Sequence, residues 1–439
     1  MQETVAPASS RRRGIFFGWY IVAGSVFTNA IFSAAFYQGF SALVLPIEAA
    51  FGWSRSTVSG AGALRSLESG IVSPFLGFLL DRFSARTLVF WCAIVSGLGM
   101  IGLAFMNGVL TFYLFFILVS IGASGLSHAV TWPVLIARWF RRKRGVAIGL
   151  AVMGPIFGSP FVVLNTSLEE AFGWRAVLFG YGVIILVACT LVSLLVRDRP
   201  EPYGLRPDGD QHEETHGLRE HPVAAPTATP HGGTGWTLRE VLRMREFWVL
   251  TAFLAGTFLT NSAFQFHQIP YFEQDKGFSS AEAATTLMLV FFASGFGRLG
   301  SGFVLDKLDY RVVLALISAM MGAAFLYLQV AAVNAVPQAL PFVVLFGVGF
   351  GSMIPIRGAL GGLLFGTRSM GSVVGLLQGG AVAAGVVGPI LMGAIFDLQG
   401  DYSTAIWILV AVIVAMAPVS FIMRSPATLA RQRADSGRF

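Results

Sequence analysis

Charge is scarce in this chain: Asp, Glu, Lys and Arg together make up 12% of its 439 residues, about half the share usual in a soluble globular domain. A soluble fold of this length needs a charged exterior, so the deficit excludes one. Segments of about ten residues alternating in polarity are missing as well, which argues against a membrane β-barrel. Cysteine is nearly absent. Cys92 and Cys189 lie far apart inside apolar runs, so neither a disulfide nor a metal site is indicated, and no cofactor is expected. No paired intramembrane Asp, His-Glu-x-x-His or Ser/Lys arrangement marks an intramembrane enzyme. Acidic residues are also outnumbered, 23 against 30 Lys and Arg. That excess fits the cytoplasmic side of a membrane protein better than a nucleic-acid binder.

What is present is apolar chain. Hydrophobic residues reach 55%, mean hydropathy is +0.71, and the runs are long enough to cross about 30 Å of hydrocarbon as helix. The pattern predicts helices over 18–43, 57–80, 87–107, 109–137, 145–166 and 175–196, then over 246–270, 281–304, 311–332, 337–364, 371–394 and 402–423. This is an all-α membrane protein of twelve transmembrane helices. It divides into a cytoplasmic tail (1–17), a six-helix bundle (18–196), a Pro-, Gly- and His-rich linker (197–245), a second six-helix bundle (246–423) and a tail (424–439). On one side of the membrane the loops hold only Arg55, Arg175 and Lys276. Three more basic residues, Arg65, Arg298 and Arg357, lie within helices, and all the others fall on the opposite side. Both termini are therefore expected in the cytoplasm of a bacterial-type inner membrane. The basic cluster Arg11-Arg12-Arg13 precedes a membrane helix rather than a cleaved signal.

The two bundles are pseudo-symmetric. Gly77-Phe-Leu-Leu-Asp81-Arg82, closing at Arg86, recurs as Gly302-Phe-Val-Leu-Asp306-Lys307, closing at Arg311. Thr28-Asn29 recurs as Thr260-Asn261, and Gly52-Trp53-Ser54 as Gly277-Phe278-Ser279. The Gly-x-x-x-Asp-Arg-x-x-x-Arg pattern resembles the hallmark loop of the major facilitator superfamily. That resemblance implies the major facilitator fold, with Asp81, Arg82, Arg86, Asp306, Lys307 and Arg311 as gating residues; ordinary helix capping is the plainer reading of the two aspartates. The run from Trp139-Phe140 through Arg141–Arg144 to Gly145, Gly149 and Gly154 resembles the fifth-helix signature of the monocarboxylate porter family, a group that includes oxalate/formate exchangers. It implies a carboxylate substrate. Gly154-Pro155-Ile156-Phe157-Gly158 also resembles an element of drug/proton antiporters, although close helix packing explains it adequately.

Charges inside the membrane are costly, at least about 2.5–3.5 kcal/mol each at the centre, and are a functional signal by default. Arg298 in the eighth helix stands where the porter family carries a substrate-binding arginine, and a guanidinium fork suits a carboxylate; the alternative is snorkelling to the interface. Arg65 and Glu68, three residues apart, share one face of the second helix. Glu68 is the candidate proton carrier, with mutual neutralisation as the structural alternative. Arg357, His128, Asn29, Tyr37, Asn261, Gln265 and Gln378 complete the candidate substrate-binding set; the alternatives are the cytoplasmic gate for Arg357, the commoner role of a packing residue for His128, and interhelical hydrogen bonds alone for the others. His267 is a further polar residue of the seventh helix. The chain departs from the animal porters at Ser294 and Gln38, where they carry an aspartate and a lysine, and its eleventh helix lacks the lysine of the oxalate type. The expected function is secondary transport of a small organic anion, a monocarboxylate foremost, by a monomer using proton-coupled alternating access. An exchanger or exporter is the alternative, and a ligand-sensing receptor a remote one.

Overall fold

Serine and glycine set the ends of the helices. The computed structural model describes residues 16–126, 131–140, 143–203, 205, 208, 236–366, 370–425 and 428. In chain order the helices are α1 (Gly18–Phe32), α2 (Phe40–Phe51), α3 (Arg55–Arg82), α4 (Ala85–Ala104), α5 (Val109–Leu126), α6 (Thr131–Trp139), α7 (Arg144–Ala151), α8 (Gly154–Gly158), α9 (Pro160–Phe172), α10 (Trp174–Ile184), α11 (Thr190–Leu195) and the short α12 (Leu238–Val241). The second half follows with α13 (Arg245–Gln274), α14 (Ser280–Lys307), α15 (Tyr310–Val330), α16 (Val336–Phe365), α17 (Met370–Gln399) and α18 (Ser403–Phe421).

Among the described residues, eleven helical stretches are long and apolar enough to cross a membrane. The remaining long rod, α3, has 28 residues and is interrupted by the polar run from Arg65 to Ser69. With α3 the rods number twelve, arranged as two bundles of six. Three of the first six rods are assembled from pieces: α1 with α2, α7 with α8 and α9, and α10 with α11; α5 and α6 flank residues 127–130, which lie outside the described residues. The rods of the second bundle are continuous.

The repeated Gly-x-Ser triplets now have a structural meaning. Gly52 and Gly277 take the left-handed conformation, with φ of 65° and 70°, which a side chain would oppose. Two residues later Ser54 and Ser279 cap α3 and α14, accepting from the backbone N–H of Thr57 and Glu282. The same turn and cap thus start the second rod of each bundle. At the other end of these rods, Ser84 caps α4 and Asp309 caps α15.

Each bundle has its own core. The first is filled by Trp132, Trp139, Phe112 and Phe116, the second by Phe264, Phe325, Phe342 and Phe346. Phe266 of α13 packs into the first core, and Val162 of α9 into the second. The last stretch of the expected linker is docked: Thr237 and Glu240 form a capping box on α12, Val241 is buried, and Trp236 N–H donates to the Phe365 carbonyl (3.2 Å). Burying Val241 ties this segment to the second bundle.

Candidate functional site

Two of the rod breaks free main-chain carbonyls, and one of these carbonyls meets the second bundle. Between α1 and α2 the chain makes a wide π-turn at Ser33–Tyr37. The Ala34 carbonyl accepts from Asn165 Nδ2 (2.8 Å), whose Oδ1 accepts from the Tyr181 hydroxyl (2.6 Å). Gln38 donates to Ser33 and to the Pro155 carbonyl (3.0 Å). Between α7 and α8 the helix breaks at Val152–Met153, because Pro155 has no N–H to continue the ladder and Ile156 N–H turns to the Met153 carbonyl (2.9 Å). Gly154 permits the break to sit against α1, since a Cβ there would lie 2.4 Å from Cβ of Asn29. The motif read as packing therefore also exposes a carbonyl, that of Val152.

Arg298 of α14 uses it. Its Nη1 donates to the Val152 carbonyl across the bundle boundary (2.8 Å), and its buried Nε has no partner. The guanidinium reaches the facing bundle and keeps a donor unspent.

Arg65 lies over the rings of Tyr37 (5.5 Å) and Phe36 (5.9 Å), a cation–π arrangement made possible by the π-turn that turns both residues toward α3. Arg65 and Glu68 form no ion pair within 4 Å, but the two charges still act on each other electrostatically. Glu68 instead accepts from Ser120 and Ser124 (3.2 Å) of α5, and its other oxygen is buried without a partner. Arg357 and Gln378, two candidates from different helices, come together, with Nη1 donating to Gln378 Oε1. Asn261 and Gln265, one turn apart on α13, each keep one buried polar atom unpartnered. Asn29 is buried and donates to the Ser25 carbonyl of its own helix (2.8 Å). Ser294, standing where an aspartate was expected, bonds the Phe291 carbonyl of its own helix (2.7 Å). His128 lies outside the described residues.

Of the expected gating residues, the side chains of Asp81 and Asp306 lie outside the description. Arg82, Arg86 and Lys307 are exposed. Arg311 is bidentate to Asp309 rather than reaching along its own helix, with Nη2 to Oδ2 at 2.7 Å and Nε to Oδ2 at 3.1 Å. Burial works to raise the Asp309 carboxyl, but its bonds to Arg311 prevail and hold it below the usual range.

A polar cluster that the sequence did not announce joins the bundles at the far end of α3, roughly 40 Å away at about 1.5 Å per residue. Arg55, 2% exposed, donates from Nε to Glu48 (2.6 Å), from Nη2 to Gln274 (3.0 Å) and from Nη1 to the Tyr402 hydroxyl. Its guanidinium stacks on Phe396 at 4.3 Å. Asp397 accepts from the backbone N–H of Arg55 and of Ser56, both at 2.8 Å. Asp275 accepts from Tyr402 N–H (2.8 Å); burial pushes its carboxyl up, that bond opposing. The one available signal was an arginine on a side of the membrane nearly devoid of cations.

An apolar groove of about 870 Å³ on the flank of the first bundle, between α1, α9 and α10, contains none of these charged residues.

Two six-helix bundles with broken helices, and an arginine of one bonded to a main-chain carbonyl of the other, are the layout of a membrane carrier. The profile of the Major Facilitator Superfamily matches residues 26–385 and 269–437. The chain belongs to this superfamily, and it is a transporter, not an enzyme. It is 25% identical over 396 residues to monocarboxylate transporter 2 of Homo sapiens, covering 88% of this chain and 81% of that protein. It is 24% identical over 407 residues to monocarboxylate transporter 1 of Mus musculus, covering 89% and 81%. The MFS transporter asaE of Aspergillus flavus is 26% identical over 364 residues, covering 80% and 73%. The crystal structure of a bacterial homolog of the human lysosomal transporter Spinster, inward-facing and occupied, superposes with a TM-score of 0.64 at 14% identity, covering 97% and 98% of the two chains. At that identity the likeness shows the fold alone.

Proposed function

We propose that this transporter carries a small monocarboxylate in symport with protons, the two bundles rocking around the half-buried arginines Arg65, Arg298 and Arg357. Arg298 supplies the observation that carries this reading: a guanidinium held at the bundle boundary by one main-chain carbonyl, with its Nε unpartnered. A carboxylate arriving there adds a full opposite charge and a second oxygen for a bidentate fork, neither of which the single bond to a neutral carbonyl offers. Arg65, on the rings of Phe36 and Tyr37, adds a second positive charge from the opposite bundle. Asn261 and Gln265 offer unpartnered polar atoms, and Arg357 is steadied by Gln378. The relatives that are named monocarboxylate transporters point to the same substrate class. Glu68, held by two hydroxyls with Arg65 nearby but not hydrogen-bonded to it, is the proton carrier of this scheme.

Orientation follows from the arginine distribution. In this reading the protein is a monomer with both termini in the cytoplasm of a bacterial-type inner membrane. The loops bearing Asp81 and Asp306 gate the inner side, and the Arg55 cluster seals the outer side. Uptake of labelled lactate into proteoliposomes tests the coupling. An acidic exterior alone should drive accumulation in empty vesicles; uptake that required an anion inside, and ignored the pH gradient, would identify an exchanger instead.

A further inference from the structure

His267 of α13 is fully buried and takes no part in the arginine centre. Its Nε2 lies 3.0 Å from the Pro389 carbonyl and 3.0 Å from the Ser59 hydroxyl, and its Nδ1 lies 3.1 Å from the Tyr402 hydroxyl. A carbonyl can only accept, so Nε2 carries the hydrogen. Ser59 donates its own hydrogen to the Arg55 carbonyl (2.6 Å) and can share the Nε2 hydrogen as an acceptor. Tyr402 already accepts from Arg55 Nη1, and its own proton points to the lone pair on Nδ1. The direction of the chain is therefore fixed: Arg55 donates to Tyr402, Tyr402 to His267, and His267 to the Pro389 carbonyl.

This chain accommodates only the neutral imidazole. A second proton, on Nδ1, would remove the acceptor on which Tyr402 relies. It would also aim two cations, imidazolium and guanidinium, at a single hydroxyl oxygen. The carboxylates around the cluster are already engaged: Glu48 of α2 by Arg55, Asp397 of α17 by the first turn of α3, and Asp275, after α13, by Tyr402 N–H. None of them contacts the His267 ring. Ser59 and Arg55 belong to the first bundle, and His267, Pro389 and Tyr402 to the second, so the chain crosses the seam that must part when the outer side opens.

We infer that His267 is a proton-operated release for the outer seal: protonation from the outer side breaks the Arg55–Tyr402–His267–Pro389 chain and favours the outward-open state. Outer acidity thereby makes the carrier available on the side from which protons enter. The inference rests on the orientation and alternating access proposed above, and it concerns a different group from Glu68 and the arginines.

Accessibility of a sealed position tests it in the full-length protein in right-side-out vesicles. Cys92 and Cys189 are replaced by serine. Ala42, a residue of α2 packed against the second bundle's core, becomes the reporter through Ala42→Cys, labelled from outside by a membrane-impermeant maleimide. The labelling rate, normalised to a fully exposed reference cysteine at each pH, should rise at least about fivefold as outer pH is lowered from 8 into the acid range. His267→Gln keeps one donor and one acceptor but cannot take a proton, and should show a flat profile. Tyr402→Phe, which leaves the histidine in place and cuts its link to Arg55, should label faster at pH 8 with a weakened pH response. A His267→Gln or Tyr402→Phe protein with the unaltered profile would overturn the inference. No substrate is needed for this measurement, so a failure of carboxylate uptake would count against the transport reading and not against this one.

Discussion

The carboxylate of Asp397, at the end of α17, caps the first turn of α3 in the opposite bundle, taking the N–H groups of Arg55 and Ser56 at 2.8 Å each. Acidic caps at helix N-termini are common within a chain segment; here the cap and the helix belong to halves that must separate in a transport cycle. The bond therefore acts on the conformational equilibrium and not only on folding.

Asp397→Ala should shift that equilibrium outward. Asp397 is exposed, and losing a helix-capping carboxylate typically costs about 0.5–2 kcal/mol, enough to change a state ratio by a factor of about 2 to 30, at about 1.4 kcal/mol per tenfold. Spin labels at Leu110→Cys and Leu398→Cys, both highly exposed in opposite bundles, should report a longer distance population in the variant. An unchanged distribution would remove the cap from the mechanism.

Pro155→Ala should restore an N–H that can bond the Ala151 carbonyl, letting the helix run on so that Ile156 N–H returns from the Met153 carbonyl to that of Val152. Arg298 then loses its cross-bundle acceptor. Carboxylate affinity measured by calorimetry should improve by up to about tenfold, the value of one hydrogen bond to a charged group. Weaker binding would mean that the carbonyl orients the arginine rather than competing for it.

Glu68→Gln retains an oxygen for Ser120 and Ser124 and removes the exchangeable proton. Proton-driven uptake should be lost while counterflow between two substrate pools survives. A variant still driven by an acidic exterior would exclude Glu68 as the carrier of the proton.

The Asp309–Arg311 pair should contribute to stability only while the carboxylate is ionised. Because its native value lies below the ordinary 3.8, the contribution is complete above that pH and disappears as pH falls through the depressed value. The melting temperatures of the wild type and of Asp309→Ala in detergent should therefore differ at pH 6 and converge in strong acid. A constant difference would assign the effect of Asp309 to capping geometry alone.

The helices were legible because length and apolarity are local properties: each run long enough to cross the bilayer became a rod. The repeat was legible for the same reason, and Gly52 and Gly277 with Ser54 and Ser279 proved to be one turn-and-cap device used twice. Arg65, Arg298 and Arg357 could be recognised as interior from the cost of charge in hydrocarbon. The breaks were harder. Pro155 marked one, but the π-turn at Ser33–Tyr37 contains no proline and is held by Asn165 from another rod. The Arg55 cluster was hidden because its partner Asp397 lies 342 residues away, and no local pattern encodes that pairing.

The central claim is that Arg298 receives a carboxylate. A thermal-shift screen of small monocarboxylates on the purified protein, repeated on Arg298→Ala, tests it most directly. The account predicts that one or more carboxylates raise the melting temperature of the wild type and that every such shift vanishes in the variant. Shifts of equal size in both proteins would contradict it.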